Sequence, residues 1–125
     1  MALGHRRLDV YRFALQCLAA IDEIVEGMPP GRAHLKDPLD RAATSIALNL
    51  AEGAGEYSPR DKARFYRIAR RSAVESAAIL DIVAQRRHAP AEKLARAQQL
   101  LVAIVSMLVR LVANRAGARA RAGAR

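Results

Sequence analysis

The residues best equipped for chemistry in this chain are arginines. Arg60, Arg64, Arg67 and Arg71 follow one another at intervals of four, three and four residues. On a helix turning about 100° per residue, that spacing places them on a single stripe. A guanidinium is a flat fork of donors that matches phosphate and carboxylate oxygens, and Asp61 and Glu75 at the two ends of the stripe are its only local acids. A second set, Arg115, Arg119, Arg121 and Arg125, closes the chain without a single acid between them. Both sets suit electrostatic capture of nucleic-acid phosphates, with affinity arising from counterion release rather than from base reading. The plainer alternatives are a solvated helix face and an incidental tail. Arg70 lies off the stripe and is a candidate for an interface instead.

A polar set comes next. Arg41, Ser45, Asn49 and Glu52 run along one side of a helical segment, and Ser72 and Glu75 stand on the following one. Their expected role is a structural network that fixes helix register, with Arg41, Arg64 or Arg71 neutralising the carboxylates. The competing reading pairs Glu52 with Glu75 for catalysis or metal binding. Metal-binding helix bundles supply Glu-x-x-His pairs, whereas His5, His34 and His88 sit in apparent termini or loops with no carboxylate at that spacing. Zinc-type Cys/His spacing, a phosphate loop and a nucleophile elbow are absent. No catalytic residue, metal or cofactor is therefore expected. The single Cys17 excludes an internal disulfide and reads as an inert core thiol. Tyr11, Tyr57 and Tyr66 are too scattered for a base-stacking platform.

The elements that must carry these residues are helices. The 125-residue chain is 52% hydrophobic but only 4% aromatic, a composition of Ala, Leu, Ile and Val that suits close-packed helices. A first helix is expected from Leu8 or Asp9 to Glu26, stopped by Gly27, Pro29, Pro30 and Gly31. Asp37 is the candidate N-cap of a second helix, with Pro38 at its first position. That helix, with Leu39, Ala42, Ala43, Ile46, Leu50 and Gly53 on its apolar side, is expected to end in a left-handed glycine within Gly53-Ala54-Gly55. Ser58-Pro59-Arg60-Asp61 starts a third helix reaching Gln85 or Arg86, with Phe65, Ile68, Ala69, Ser72, Ser76, Ile79, Leu80 and Val83 inward. Pro90 starts a fourth that reaches Asn114. Its apolar arc is too wide for one seam, so Leu100, Ile104, Met107 and Leu111 are candidates for a subunit interface. The organisation expected is an N-terminal arm over 1–7, an antiparallel up-down four-helix bundle over 8–115, and a disordered basic tail over 116–125.

These residues resemble a known family. Leu8-Asp9-Val10-Tyr11, Pro29, the run from Arg41 to Gly55 with its Ser45-Ile46-x-x-Asn49-Leu50-Ala51-Glu52-Gly53 centre, and Phe65, Ala69, Ser72 and Glu75 are similar to the bacterial 23S rRNA-intervening sequence proteins. The resemblance runs from about Leu8 to Leu111. It implies a four-helix bundle assembled as a homopentamer. It also implies kinship with the accessory variability determinant proteins of diversity-generating retroelements, which bind nucleic acid and a reverse transcriptase through a basic surface. Pro38 stands where that family usually has Gln, Glu56 where Arg often follows the second glycine, and Arg71 where Gly commonly precedes the serine.

Charge gives the expected function its direction. A formal net charge of +9 and a sequence pI near 11.0 favour an anionic partner, nucleic acid first. No signal peptide is evident at the N-terminus, and the apolar run from Leu100 to Ala113 is shorter than the roughly 17–25 residues of a membrane span and is broken by Arg110. The expectation is a cytoplasmic, non-catalytic homo-oligomer that binds RNA or DNA as a scaffold or accessory factor, without contact to a membrane. The alternatives are a protein-interaction adaptor without nucleic-acid binding, whose charge is incidental, and a structural protein of unknown process.

Overall fold

A computed structural model describes the backbone of residues 5–123 and the side chains of residues 9–113. Its elements are four helices: α1 (His5–Gly27), α2 (Ala33–Gly55), α3 (Pro59–Gln85) and α4 (Ala91–Gly123). Each packs against its neighbours in sequence, and α4 closes back against α1, giving a four-membered ring of helices. The short connections make successive helices antiparallel. The expected all-α bundle is what the chain forms.

The core runs down the axis of that ring. Val10, Ala14, Cys17, Ile21 and Ile24 of α1 meet Leu39, Ala43, Ile46 and Leu50 of α2, and Leu80 and Val83 of α3 face Leu101, Ile104 and Leu108 of α4. The alanines and serines between them let the helices approach closely. One aromatic side chain reaches full burial: Tyr66, at 0% exposure. The expected inward residues Phe65 and Ile68 are only half-buried. Residues 65 and 66 are about 100° apart on the helix, so a small rotation of α3 exchanges which of the two aromatics points in.

The start of α2 lies upstream of the expected one. The helix begins at Ala33, with Leu35 and Lys36 both donating from their backbone N–H groups to Arg32 O at 2.9 Å. Pro38 is consequently inside α2, where it forfeits one helical hydrogen bond. Burial of Leu35, ahead of the proline, gives this extra turn an apolar anchor. At the other end, Gly53 and Gly55 both belong to the helix, and neither has positive φ; among the described glycines that conformation belongs to Gly31, at φ 82° in the α1–α2 connection. The stop at Gly53-Ala54-Gly55 therefore does not come from a left-handed glycine. Glu56 ends α2 in extended conformation, its N–H donating to Gly53 O at 3.2 Å.

Two expectations about α4 are corrected. Leu100, Ile104 and Leu111 are buried within the single chain, at 6%, 0% and 6% exposure, and Met107 is half-buried against the same core. α4 lies between α3 and α1, so its wide apolar arc covers two neighbours in one chain and leaves these leucines and Ile104 unavailable to a second subunit. The helix also continues past Asn114 to Gly123, so the boundary expected at residue 115 is not a structural one. Alanine and arginine favour helix strongly enough to carry it through Gly117, which costs only about 1 kcal/mol. Residues 124–125, the end of the expected tail, and residues 1–4, most of the expected arm, lie outside the described residues; the arm's last residues are already helical.

The 23-residue stretch Ala91–Ala113, whose most apolar 18 residues have mean hydropathy 1.5, is long and apolar enough to cross a membrane by length and composition. It is longer than the run first visible in the sequence. Here it is the core helix of the bundle, with Leu94, Ala97, Leu101, Ile104 and Leu108 buried against α1 and α3.

Candidate nucleic-acid interface

The arginine stripe is built from the N-terminus of α3. Ser58 accepts a hydrogen bond from the Asp61 N–H at 3.1 Å, and Pro59 occupies the first turn. This cap sets the direction in which the helix leaves the turn. Arg60, Arg64, Arg67 and Arg71 are all exposed. A shallow groove of about 490 Å³ gathers three of them, lined by Ser58, Arg60, Asp61, Arg64 and Arg67. Arg71 lies beyond its edge, one turn further along. The Arg64 guanidinium carbon stands 5.1 Å from the centroid of the Phe65 ring, a cation–π contact that restrains a side chain that is still exposed. None of the four arginines makes an ion pair among the described residues. The side chains of Arg115, Arg119, Arg121 and Arg125 lie outside the described residues.

The polar network is smaller than expected. Ser72 Oγ donates to Ser45 Oγ at 2.8 Å across the α2–α3 seam. Asn49 Nδ2 donates to the Ser45 carbonyl at 2.9 Å and lies 3.0 Å from Ser45 Oγ. Ser76, fully buried, donates back to Ser72 O at 2.9 Å. Arg41, Glu52 and Glu75 are exposed and take no part in it among the described residues. The long charged side chains of these three residues reach water instead. Glu52 lines a separate open recess with Leu48, Ala51, Gly55 and Glu56. Among the described residues no group of three or more His, Cys, Asp or Glu is placed to hold a metal ion.

Two arrangements were not foreseen from the sequence. Lys62 is buried at 8% exposure, and its Nζ donates to Gly53 O at 3.4 Å and Ala54 O at 3.1 Å. The cation closes the C-terminus of α2, where unpaired carbonyls and the helix dipole favour it. Its signal was positional: a lysine in the first turn of α3, one short turn away from the end of α2. At the opposite end of α3, Arg32 Nε donates to His88 Nε2 at 2.9 Å, and Arg86 Nη1 lies 3.2 Å from His34 Nε2. Partial burial, then the nearby charges of Arg32, Arg86 and His34, hold the His88 pKa below its usual 6.5. Burial pushes the Cys17 thiol up to about 12, which makes it the inert core thiol expected.

Comparison with known proteins agrees with this architecture. No curated protein matches the chain. A solved structure described as a protein of unknown function from the S23 ribosomal protein family of Bacteroides thetaiotaomicron superposes with a TM-score of 0.76 at 18% identity, covering 82% of this chain and 97% of that one. At that identity the likeness concerns the fold. The sequence model described as 23S rRNA-intervening sequence protein matches residues 6–110, nearly the whole span of the bundle, and the chain accordingly belongs to the 23S rRNA-intervening sequence protein family.

Proposed function

We propose that the protein is a non-catalytic, homo-oligomeric accessory or scaffold factor that binds RNA or DNA through phosphate contacts. The observation that carries this reading is the row of four exposed arginines on α3, three of them lining one groove and none held in an ion pair among the described residues. With a net charge of +9, the surface attracts polyanions before any contact forms. The arginines near the C-terminus, Arg115, Arg119, Arg121 and Arg125, extend the same chemistry. No base-reading helix is needed for this, and specificity would come from a partner; by family resemblance that partner is a reverse transcriptase or another protein in the cytoplasm.

Self-association rests on different residues from those expected. Leu48 at 60%, Val74 at 55% and Val102 at 67% exposure, on α2, α3 and α4, are apolar side chains the single chain leaves in water. They support a homo-oligomer, a pentamer by resemblance, and equally support the second reading of a protein-interaction adaptor.

The test is binding of the purified full chain to generic RNA and DNA duplexes and single strands across a salt series, with the mass in solution recorded alongside. Phosphate binding gives a steep fall of affinity with salt. For duplex DNA the slope of log K against log salt is about 0.9 per phosphate contact. Replacing Arg60, Arg64, Arg67 and Arg71 together by Gln lowers that slope by up to about 3 to 4 while leaving assembly intact. Unchanged binding in this variant removes the stripe from the proposal, and no binding at low salt leaves the adaptor reading.

A further inference from the structure

The end of the bundle where the α1–α2 and α3–α4 connections meet concentrates positive charge in an unusual way. Arg32 and His88 touch across the two connections at 2.9 Å, and Arg86 and His34 do so at 3.2 Å. Arg87 stands between Arg86 and His88, in left-handed conformation at φ 56°. Arginine is a donor only, so His88 Nε2 presents its lone pair to Arg32. Such a contact orients the arginine without cancelling its charge. None of these arginines makes an ion pair among the described residues. Of the elements packed around the cluster, α4 brings Glu92 in its first turn, exposed and bonded to none of the four side chains.

α2 and α4 start at this end while α1 and α3 finish at it, so helix dipoles of both signs meet here and the excess positive charge is that of the side chains; the start of α2 contributes its first unpaired N–H groups. The residue at the N-cap of α2 is Arg32, whose side chain makes no capping hydrogen bond, leaving those N–H groups for another acceptor.

We propose that this end of the bundle is a phosphate-binding site, in which Arg32 and Arg86 hold the oxygens of a phosphate group and His34 and His88 turn to donate to it. The site is distinct from the α3 stripe and does not depend on it. On capture, His88 Nε2, which now accepts from Arg32, would gain a proton and become a donor, while the guanidiniums turn to the anion. Binding therefore takes up a proton at His88, and affinity increases as pH falls through the histidine range. The lowered pKa of His88, held down first by burial and then by Arg32, Arg86 and His34, fits this.

The experiment follows the histidine ring Cε1–H signals of the full-length protein by NMR at pH 7.5 and 6.0. The probes are sodium sulfate, inorganic phosphate, and a dinucleotide with and without a 5′-phosphate, each against sodium chloride at matched ionic strength. Sulfate keeps its charge across this range, so its pH dependence reports the protein alone. The proposal expects saturable shifts of the His34 and His88 signals with sulfate and phosphate, tighter at pH 6.0, and a loss of roughly tenfold in affinity for Arg32→Gln and, independently, for Arg86→Gln. Tighter binding of the 5′-phosphorylated dinucleotide than of free phosphate assigns the site to a nucleic-acid end; the reverse assigns it to a free phosphate or nucleotide. Shifts no larger than those with chloride overturn the proposal, as does binding indifferent to both arginine substitutions. The Arg60, Arg64, Arg67 and Arg71 to Gln variant retains these shifts if the site is separate, so the site at the bundle end and the stripe on α3 can fail independently.

Discussion

The ring of Tyr66 fills the place where a side chain on residue 53 would begin. A Cβ at Gly53 would lie 2.7 Å from Tyr66 Cε1, 3.0 Å from Cδ1 and 3.2 Å from Phe65 Cβ. Tyr66 has no exposure with which to yield. Gly53 is thus a contact residue that lets the largest core side chain of α3 lie flat against α2. Gly53→Ala gains up to about 1 kcal/mol of helix propensity but overpacks the seam at about 1–3 kcal/mol, for a net loss of about 1 kcal/mol. Gly55, with open space around its Cβ position, responds oppositely, Gly55→Ala stabilising by up to about 1 kcal/mol. Urea midpoints of the two variants test the contrast; equal shifts contradict it.

Lys62 is held by the last carbonyls of α2, those of Gly53 and Ala54. Replacing it by Met keeps the buried stem and removes the charged donor. Lys62→Met should destabilise by about 1–3 kcal/mol, seen as a lower urea midpoint with an unchanged slope. A variant as stable as the parent would show that the carbonyls are satisfied equally well by water.

How far the sequence could be read depended on whether the deciding force was local. The start of α3 was legible because Ser58, Pro59 and Asp61 form the cap from four consecutive residues. The four bundle helices were legible because apolar periodicity is itself the cause of their packing. The start of α2 was not: Pro38 looked like a first helical residue, but Leu35 finds a core partner only once the bundle exists. The side of α4 that holds Leu100, Ile104 and Leu111 reads from sequence as a subunit interface for the same reason, since a wide apolar arc does not say whether its second neighbour is in the same chain. For the candidate site, spacing sufficed to put Arg60, Arg64, Arg67 and Arg71 on one exposed face. It could not bring Arg32 to His88 or Arg86 to His34, pairs separated by 56 and 52 residues, because that juxtaposition exists only after two connections meet.

Ser72 and Ser45 are joined hydroxyl to hydroxyl across the α2–α3 seam, at 2.8 Å. Ser72→Ala leaves Ser45 and Asn49 to satisfy each other and costs about 1 kcal/mol. Removing both hydroxyls costs less than the sum of the two single changes, with a coupling of about 0.5–1.5 kcal/mol. A double-mutant cycle by thermal or urea unfolding measures it; strict additivity would mean that the bond does not contribute to folding.

Cys17 is buried at 1% exposure, and its thiol titrates near 12 instead of 9.0. Three pH units correspond to about a thousandfold less thiolate in the folded state at any pH below that range. An alkylating reagent at pH 8 should therefore label the folded chain only through opening, and labelling should accelerate steeply with urea. The native state holds this proton more tightly than the unfolded chain, so the contribution to stability is complete below pH 9.0 and declines as pH rises toward 12. Rapid labelling of the native protein at pH 8 would contradict the buried position.

His88 acts in the opposite sense. Its folded pKa lies below 6.5, through partial burial and then the charges of Arg32, Arg86 and His34. The unfolded chain binds the proton more readily, so the stability linked to this group is fully present above pH 6.5 and is lost as pH falls through the folded value. Melting temperature should therefore decrease on acidification just below pH 6.5, before the carboxylates begin to titrate, and His88→Gln should remove that part of the decrease. Sulfate, which keeps its charge over this range, should reverse the trend in the parent protein, because an anion between Arg32 and His88 makes the protonated imidazole the favoured form. In the Gln variant sulfate should produce a smaller and less pH-dependent rise. A parent protein whose melting temperature is flat through this window, with and without sulfate, would show that the four side chains at the bundle end do not share a proton-linked charge balance.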